Sequence, residues 1–159
     1  MLASTGSDGC TSYFTPITDQ LENTAVANEL ILIVEDNEKN MKLIRDLLTF
    51  NGYRTLEAVT GEEALELARK RQPALILMDI QLPQMDGITA FRHLQSHSAT
   101  KKIPVIAVTA SATNREREEI VAAGFDGIEV KPIKINEFLA KVRATLDRVA
   151  PPKNGNRET

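Results

Sequence analysis

Three short apolar runs stand out along the chain: Leu30-Ile-Leu-Ile-Val34, Ala74-Leu-Ile-Leu-Met78 and Val105-Ile-Ala-Val108. Continuous runs of this length, without polar alternation, fit strands buried on both faces of a parallel sheet. Tyr53 to Ala58 and Gly127 to Val130 are weaker members of the same series. A helical pattern follows each. Behind Asn37, the stripe Leu43, Ile44, Leu47 and Leu48 predicts an amphipathic helix. Thr60-Gly-Glu-Glu63 and Thr113-Asn-Arg-Glu116 have the form of capping boxes, the first ahead of Ala64, Leu65 and Ala68. Gly124 suits the end of the helix opened by Thr113. Ile88, Phe91 and Leu94 mark another helix. The last has the clearest stripe: Ile135, Phe138, Leu139, Val142, Leu146 and Val149. Five βα units in succession predict an α/β sandwich, with right-handed crossovers placing helices on both faces of one parallel sheet.

The two ends differ from this pattern. Residues 1–28 are rich in Ser, Thr, Gly, Asp and Asn and read as a flexible leader or a short helical arm. The arm would start at Thr15-Pro16, with Ile17 and Leu21 four apart. Residues 29–148 form the predicted domain. After Ala150-Pro-Pro152 no core-forming residue remains, so 149–159 is read as a disordered tail.

Composition narrows the function classes. Of 159 residues, 42% are hydrophobic and 26% charged, and the net charge is −3. These are globular proportions, and the acidic balance argues against direct nucleic-acid binding. No apolar run is long enough to span a membrane, and no secretory signal pattern opens the chain. The lone cysteine, Cys10, excludes a disulfide within the chain and a Cys-rich zinc site. A cytoplasmic location is the expectation.

The chemistry gathers where the apolar runs stop. Glu35 and Asp36 follow the first, Asp79 the second, Thr109 the third and Lys131 the last. In a parallel sheet these ends share one edge, where ligands of open α/β folds bind. Each alone has an ordinary reading as a turn former, a helix cap or a solvated loop residue. Together they put three carboxylates, a hydroxyl and an ammonium in one region. Converging carboxylates suit a hard divalent cation, above all Mg²⁺. Thr109 and Lys131 suit a tetrahedral dianion beside it, and a carboxylate so placed is a plausible phosphoryl acceptor.

Four segments, Ile31-Leu-Ile-Val-Glu-Asp-Asn37, Leu75-Ile-Leu-Met-Asp-Ile-Gln-Leu-Pro-Gln-Met-Asp-Gly87, Ala107-Val-Thr-Ala110 and Val130-Lys-Pro-Ile133, resemble the receiver domain of bacterial two-component response regulators. The likeness is to stand-alone receivers, similar to alphaproteobacterial cell-cycle regulators, and to receivers of hybrid histidine kinases. It implies a flavodoxin-like, doubly wound five-stranded sheet of order 2-1-3-4-5. It further implies Asp79 as phosphoacceptor and Glu35, Asp36, Asp79 and the Gln81 backbone carbonyl as Mg²⁺ ligands. Lys131 would pair with the phosphoryl oxygens, Thr109 would shift to hydrogen-bond them, and small Ala110 would leave them accessible. Lys131-Pro132 is where the family places a cis peptide. The implied partners are a histidine kinase or histidine phosphotransfer protein and a downstream protein, with a homodimer as an option. No output domain is expected beside the receiver, so output would run through protein contacts, without direct nucleic-acid or membrane binding.

One departure concerns signal relay. Three residues before the lysine the family usually carries Tyr or Phe, and this chain has Ile128; nearby Phe125 is out of register. His93 and His97 stand four apart without an apparent third ligand, and Arg115-Glu-Arg-Glu-Glu119 reads as an exposed helix face, on a surface the family uses for partners. Two other functions were weighed. An Asp-nucleophile phosphatase would commonly carry a general acid two residues after Asp79, where this chain has Gln81. A phosphorylation-independent binding module sits poorly with a complete acidic pocket, though Ile128 keeps it open for output. A receiver is expected to act as a signalling phosphoacceptor, with no enzymatic turnover beyond its own phosphorylation and dephosphorylation.

Overall fold

The computed structural model describes residues 28–110 and 113–149. Five strands alternate with five helices: β1 Leu30–Val34, α1 Glu38–Phe50, β2 Arg54–Ala58, α2 Gly61–Arg71, β3 Leu75–Asp79, α3 Gly87–Ser96, β4 Val105–Thr109, α4 Asn114–Ala123, β5 Gly127–Val130 and α5 Ile135–Val149. The strands form one sheet in the order β2-β1-β3-β4-β5, with every pairing parallel. This is the doubly wound 2-1-3-4-5 arrangement expected from the resemblance.

The alternation of strand side chains sorts the core into two halves. Ile31 and Ile33 of β1 pack with Leu75, Leu77, Ile106 and Val108 against Met41, Ile44 and Leu48 of α1 and Phe138, Val142 and Leu146 of α5. Their neighbours Leu32, Val34, Ile76 and Met78 face the other way, onto Ala64 and Ala68 of α2 and Phe91 and Leu94 of α3. On that face Ile120 of α4 closes over Ala107.

Local chemistry starts and stops the helices as the sequence suggests. The side chains of Asn37, Thr60 and Thr113 accept hydrogen bonds from the backbone N–H groups of Asn40, Glu63 and Glu116, respectively. Gly124 ends α4 in the left-handed region at φ 104°. Asp86, not singled out in the sequence, caps α3 by accepting from the Thr89 N–H.

Three readings need correction. Leu43 is not part of the buried stripe of α1: it is 43% exposed, and Met41 is buried in its stead. The inward face is set by Met41, Ile44 and Leu48, spaced i, i+3 and i+7, and Leu43 lies a hundred degrees from Ile44 around the helix. Ile135 and Val149, at the two ends of α5, are also exposed. Asp79 and Thr109 are the last residues of their strands, each run having its boundary one residue later than the apolar pattern indicates. The leader through residue 27, with Cys10 and the Thr15-Pro16 start, and the tail from residue 150 lie outside the described residues. Among the described residues no helix is long and apolar enough to cross a membrane.

Candidate functional site

Parallel pairing brings the C-terminal ends of β1, β3, β4 and β5 to one edge, and the sequence-predicted acids meet there. Glu35 directly follows β1, and its N–H donates to the Ala58 carbonyl at 3.0 Å, extending the ladder with β2. Its side chain is buried, with Oε2 accepting from the Asn37 N–H at 3.1 Å. Asp79 is buried as well, and its Oδ1 accepts from the Gln81 N–H at 3.0 Å. Asp36 is exposed at the rim. One oxygen from each of these three carboxylates lies within 4.8 Å of the others.

Lys131 reaches this group from beyond β5. Its backbone N–H donates to the Thr109 carbonyl at 2.8 Å, which fixes where its side chain starts. The Nζ donates to Glu35 Oε1 at 2.9 Å and to Asp79 Oδ2 at 3.2 Å. The Lys131-Pro132 peptide is cis. Thr109 is fully buried at the end of β4, and Ala110 beyond it is exposed.

The electrostatics follow from burial. Desolvation is the main reason the Asp79 carboxyl is pushed up to about 6. The neighbouring Glu35 charge pushes the same way, while the Gln81 N–H and Lys131 oppose it. Burial alone would lower the pKa of Lys131, but its contacts with Glu35 and Asp79 outweigh that and hold it above the usual lysine value. One ammonium, paired with Glu35 and Asp79, is thus set against a cluster of three carboxylates. The excess of negative charge and the all-oxygen donor set suit a hard divalent cation, and the Gln81 peptide is fixed beside them.

Gly87 is a structural requirement that the sequence reading did not single out. Its N–H donates to the Ile80 carbonyl at 2.9 Å. A Cβ there would stand 2.4 Å from the Asp79 carbonyl oxygen and 2.8 Å from Ile80 Cα. The only available signal was a glycine right after the α3 cap.

The remaining candidates fall outside the site. His93 and His97 are exposed, and His97 Nδ1 lies 2.9 Å from the His93 carbonyl oxygen. Among the described residues, the acidic trio is the only set of three or more His, Cys, Asp or Glu side chains arranged to hold a metal. Residues 115–119 lie on α4 and are largely exposed. Ile128 is half-buried beside Ile80, Ala107 and Ile120. The Phe125 ring stacks on Phe91, with centroids 4.1 Å apart. Lys141 of α5 pairs with buried Glu129 at 3.1 Å and donates to the Ile128 carbonyl, which ties α5 to β5.

Comparison with known proteins agrees with this geometry. Residues 31–143 match the family model for the response regulator receiver domain. The polar-differentiation response regulator DivK of Brucella ovis is 45% identical over 116 residues, covering 73% of this chain and 94% of that protein. The receiver domain of a Francisella response regulator superposes with a TM-score of 0.72 at 28% identity, over 77% of this chain and all of that one. The receiver domain of the sensor histidine kinase PA1611 from Pseudomonas aeruginosa, solved with a magnesium ion in its active site cleft, gives 0.67 at 34% identity, over 77% and 97% of the two chains. With the acids, the lysine and the strand order all in place, the chain belongs to the response regulator receiver domain family.

Proposed function

We propose that this protein is a stand-alone receiver that accepts a phosphoryl group on Asp79 and signals through changed protein contacts. The observation that carries this reading is a buried Asp79 carboxylate, held by the Gln81 N–H on one oxygen and by Lys131 on the other, within reach of two further acids. The donor would be the phosphohistidine of a histidine kinase or a histidine phosphotransfer protein. An Asp79 oxygen attacks phosphorus, the P–N bond breaks, and the imidazole leaves with the electron pair. Glu35, Asp36, Asp79 and the Gln81 carbonyl would hold Mg²⁺. When bound, that cation offsets repulsion between the carboxylates and the incoming phosphoryl oxygens. Lys131 supplies the positive charge that pairs with the new acyl phosphate, and Thr109 the hydroxyl that hydrogen-bonds it. The cytoplasm is the location this role needs.

Intact-mass measurement after treatment with a small phosphodonor should show one added phosphoryl group, lost on chelating Mg²⁺ and absent from Asp79→Asn. A gain that persists in Asp79→Asn would overturn the assignment. Steady turnover of a generic phosphate ester would favour the phosphatase alternative, and partner binding indifferent to Asp79→Asn would favour the phosphorylation-independent one.

The relay can be tested at two positions. Thr109 stands at the acid edge, whereas Ile128 is β-branched, stiff at χ1 and packed against the apolar side chains of Ile80, Ala107 and Ile120. Thr109→Ala should therefore abolish most of the change in partner affinity produced by a phosphoryl mimic, and Ile128→Ala should preserve most of it. The reverse ranking would make Ile128 the relay.

A further inference from the structure

The edge of the sheet opposite the acids carries a groove of about 600 Å³ whose lining includes Gln72, Ala74, Ile103, Pro104, Leu146 and Val149. Its floor is largely aliphatic, and the proposed phosphorylation chemistry makes no use of it. We propose that residues 14–27 of this same chain fold back into the groove as an amphipathic helix.

Three observations point to that occupant. First, the chain leaves the domain at the groove. Glu29 is part of its wall, and the Glu29 carboxylate pairs with Arg143 at 2.8 Å. The Asn28 carbonyl accepts from Arg54 Nε at 3.0 Å. Asn28, next in sequence to Glu29, is therefore where the described chain begins, beside the rim.

Second, the charges are complementary. Residues 1–28 contain Asp8, Asp19 and Glu22 and no lysine or arginine, so the net charge of −3 belongs to this segment and the rest of the chain balances. Lys102 lines the groove, exposed Arg71 and Lys101 are each next in sequence to a lining residue, and none of the three makes an ion pair among the described residues. A net-negative segment placed there gains their attraction, and the short tether keeps its local concentration high.

Third, the apolar pattern fits. Thr15-Pro16 is a helix start, and Ile17, Leu21 and Ala25 recur every four residues, with Phe14 just ahead. Asp19 and Glu22 lie off that stripe. Residues 150–159, which leave from the same end beside Val149, offer no large apolar side chain and carry Lys153 and Arg157, the same sign as the rim.

Cys10 is the single cysteine and lies four residues before Phe14, so a nitroxide attached to it reports where this segment rests. In the labelled full-length protein, the amide signals of Ala74, Ile103 and Val149 should lose most of their intensity, while those of Asp79 and Lys131 at the far edge keep theirs. Ile17→Asp combined with Leu21→Asp, which leaves the described domain untouched, should restore the lost signals. Full intensity at the groove in the unmutated protein would overturn the proposal, as would loss that survives the double substitution. A nitroxide-labelled, isotopically silent sample mixed with unlabelled ¹⁵N protein separates the sources. Unbroadened groove signals in the ¹⁵N chain are expected, and broadening there would replace the tethered segment with that of a second copy.

Discussion

Alanine at position 87 should destabilise the domain by about 3 kcal/mol and abolish the Mg²⁺ binding proposed for the acid cluster. The added methyl would meet main-chain atoms, the Asp79 carbonyl oxygen at 2.4 Å and Ile80 Cα at 2.8 Å, and these have no rotamer through which to retreat. Relief requires moving the start of α3 away from the end of β3, which also stretches the 2.9 Å bond from the Gly87 N–H to the Ile80 carbonyl. Because Asp79 is the residue being pushed, its carboxylate turns away from Glu35 and Lys131. Gly61→Ala is the internal control. A Cβ there would meet Met85 Sδ at 3.0 Å, at the flexible part of a side chain that can yield, and alanine is the better helix former. Its stability should change by less than about 1 kcal/mol. Urea denaturation of both variants, with Mg²⁺ titration followed by amide shifts, checks the pair; equal losses would show that close backbone approach is not what requires Gly87.

Asp79→Asn should stabilise the metal-free protein at neutral pH, by about 1–2 kcal/mol, and hardly at all near pH 4. The Asp79 carboxyl is held about two pH units above its ordinary value, chiefly by burial and next by Glu35. Between roughly pH 4 and 6 the folded state binds more protons at this site than the unfolded chain. Stability contributed by Asp79 therefore falls as pH rises through that window, and above it the ionised, buried carboxylate is a standing cost. The full two-unit shift corresponds to nearly 3 kcal/mol, but asparagine has one acceptor where the carboxylate has two. It can keep the Gln81 N–H or the Lys131 ammonium as a partner, and losing the other removes about 1 kcal/mol. Saturating Mg²⁺ should erase the advantage by stabilising the wild type alone. Denaturation curves at pH 4.5 and 7.5, with and without Mg²⁺, check this. A difference independent of pH would show that the charge on Asp79 is not its origin.

What could be read from the sequence was whatever is encoded by neighbours. β1 has the bounds its residues suggest, because a continuous aliphatic run leaves little choice when both faces are covered, and the mixed Gly127–Val130 of β5 also keeps its expected bounds. Asn37, Thr60 and Thr113 cap their helices because a cap and its partner N–H lie three residues apart. Glu35, Asp36, Asp79 and Lys131 could be placed together because parallel strands share an edge. Helix phase was harder: with Leu43 and Ile44 adjacent, only the packing of α1 on the sheet selects Ile44 and recruits Met41. Contacts between residues remote in sequence left no local trace. Arg143 joining Glu29 to Tyr53, Lys141 meeting buried Glu129, and the space denied to a side chain at Gly87 each depend on the completed fold.

The path of Lys131 has a mechanical meaning. It directly follows β5, the outermost strand on its side of the sheet, yet its ammonium ends on the carboxylates of Glu35, just after β1, and Asp79, the last residue of β3, passing over the end of β4. That edge strand is therefore moored at one end by charge as well as by its ladder of backbone bonds, and the same strand is strapped to α5 through Glu129 and Lys141. Any reaction that alters the charge at Asp79 changes the tension on this mooring and passes the difference to α5. The sheet margin is arranged as a stay fastened at the acid cluster, which a change of charge there would slacken or tighten.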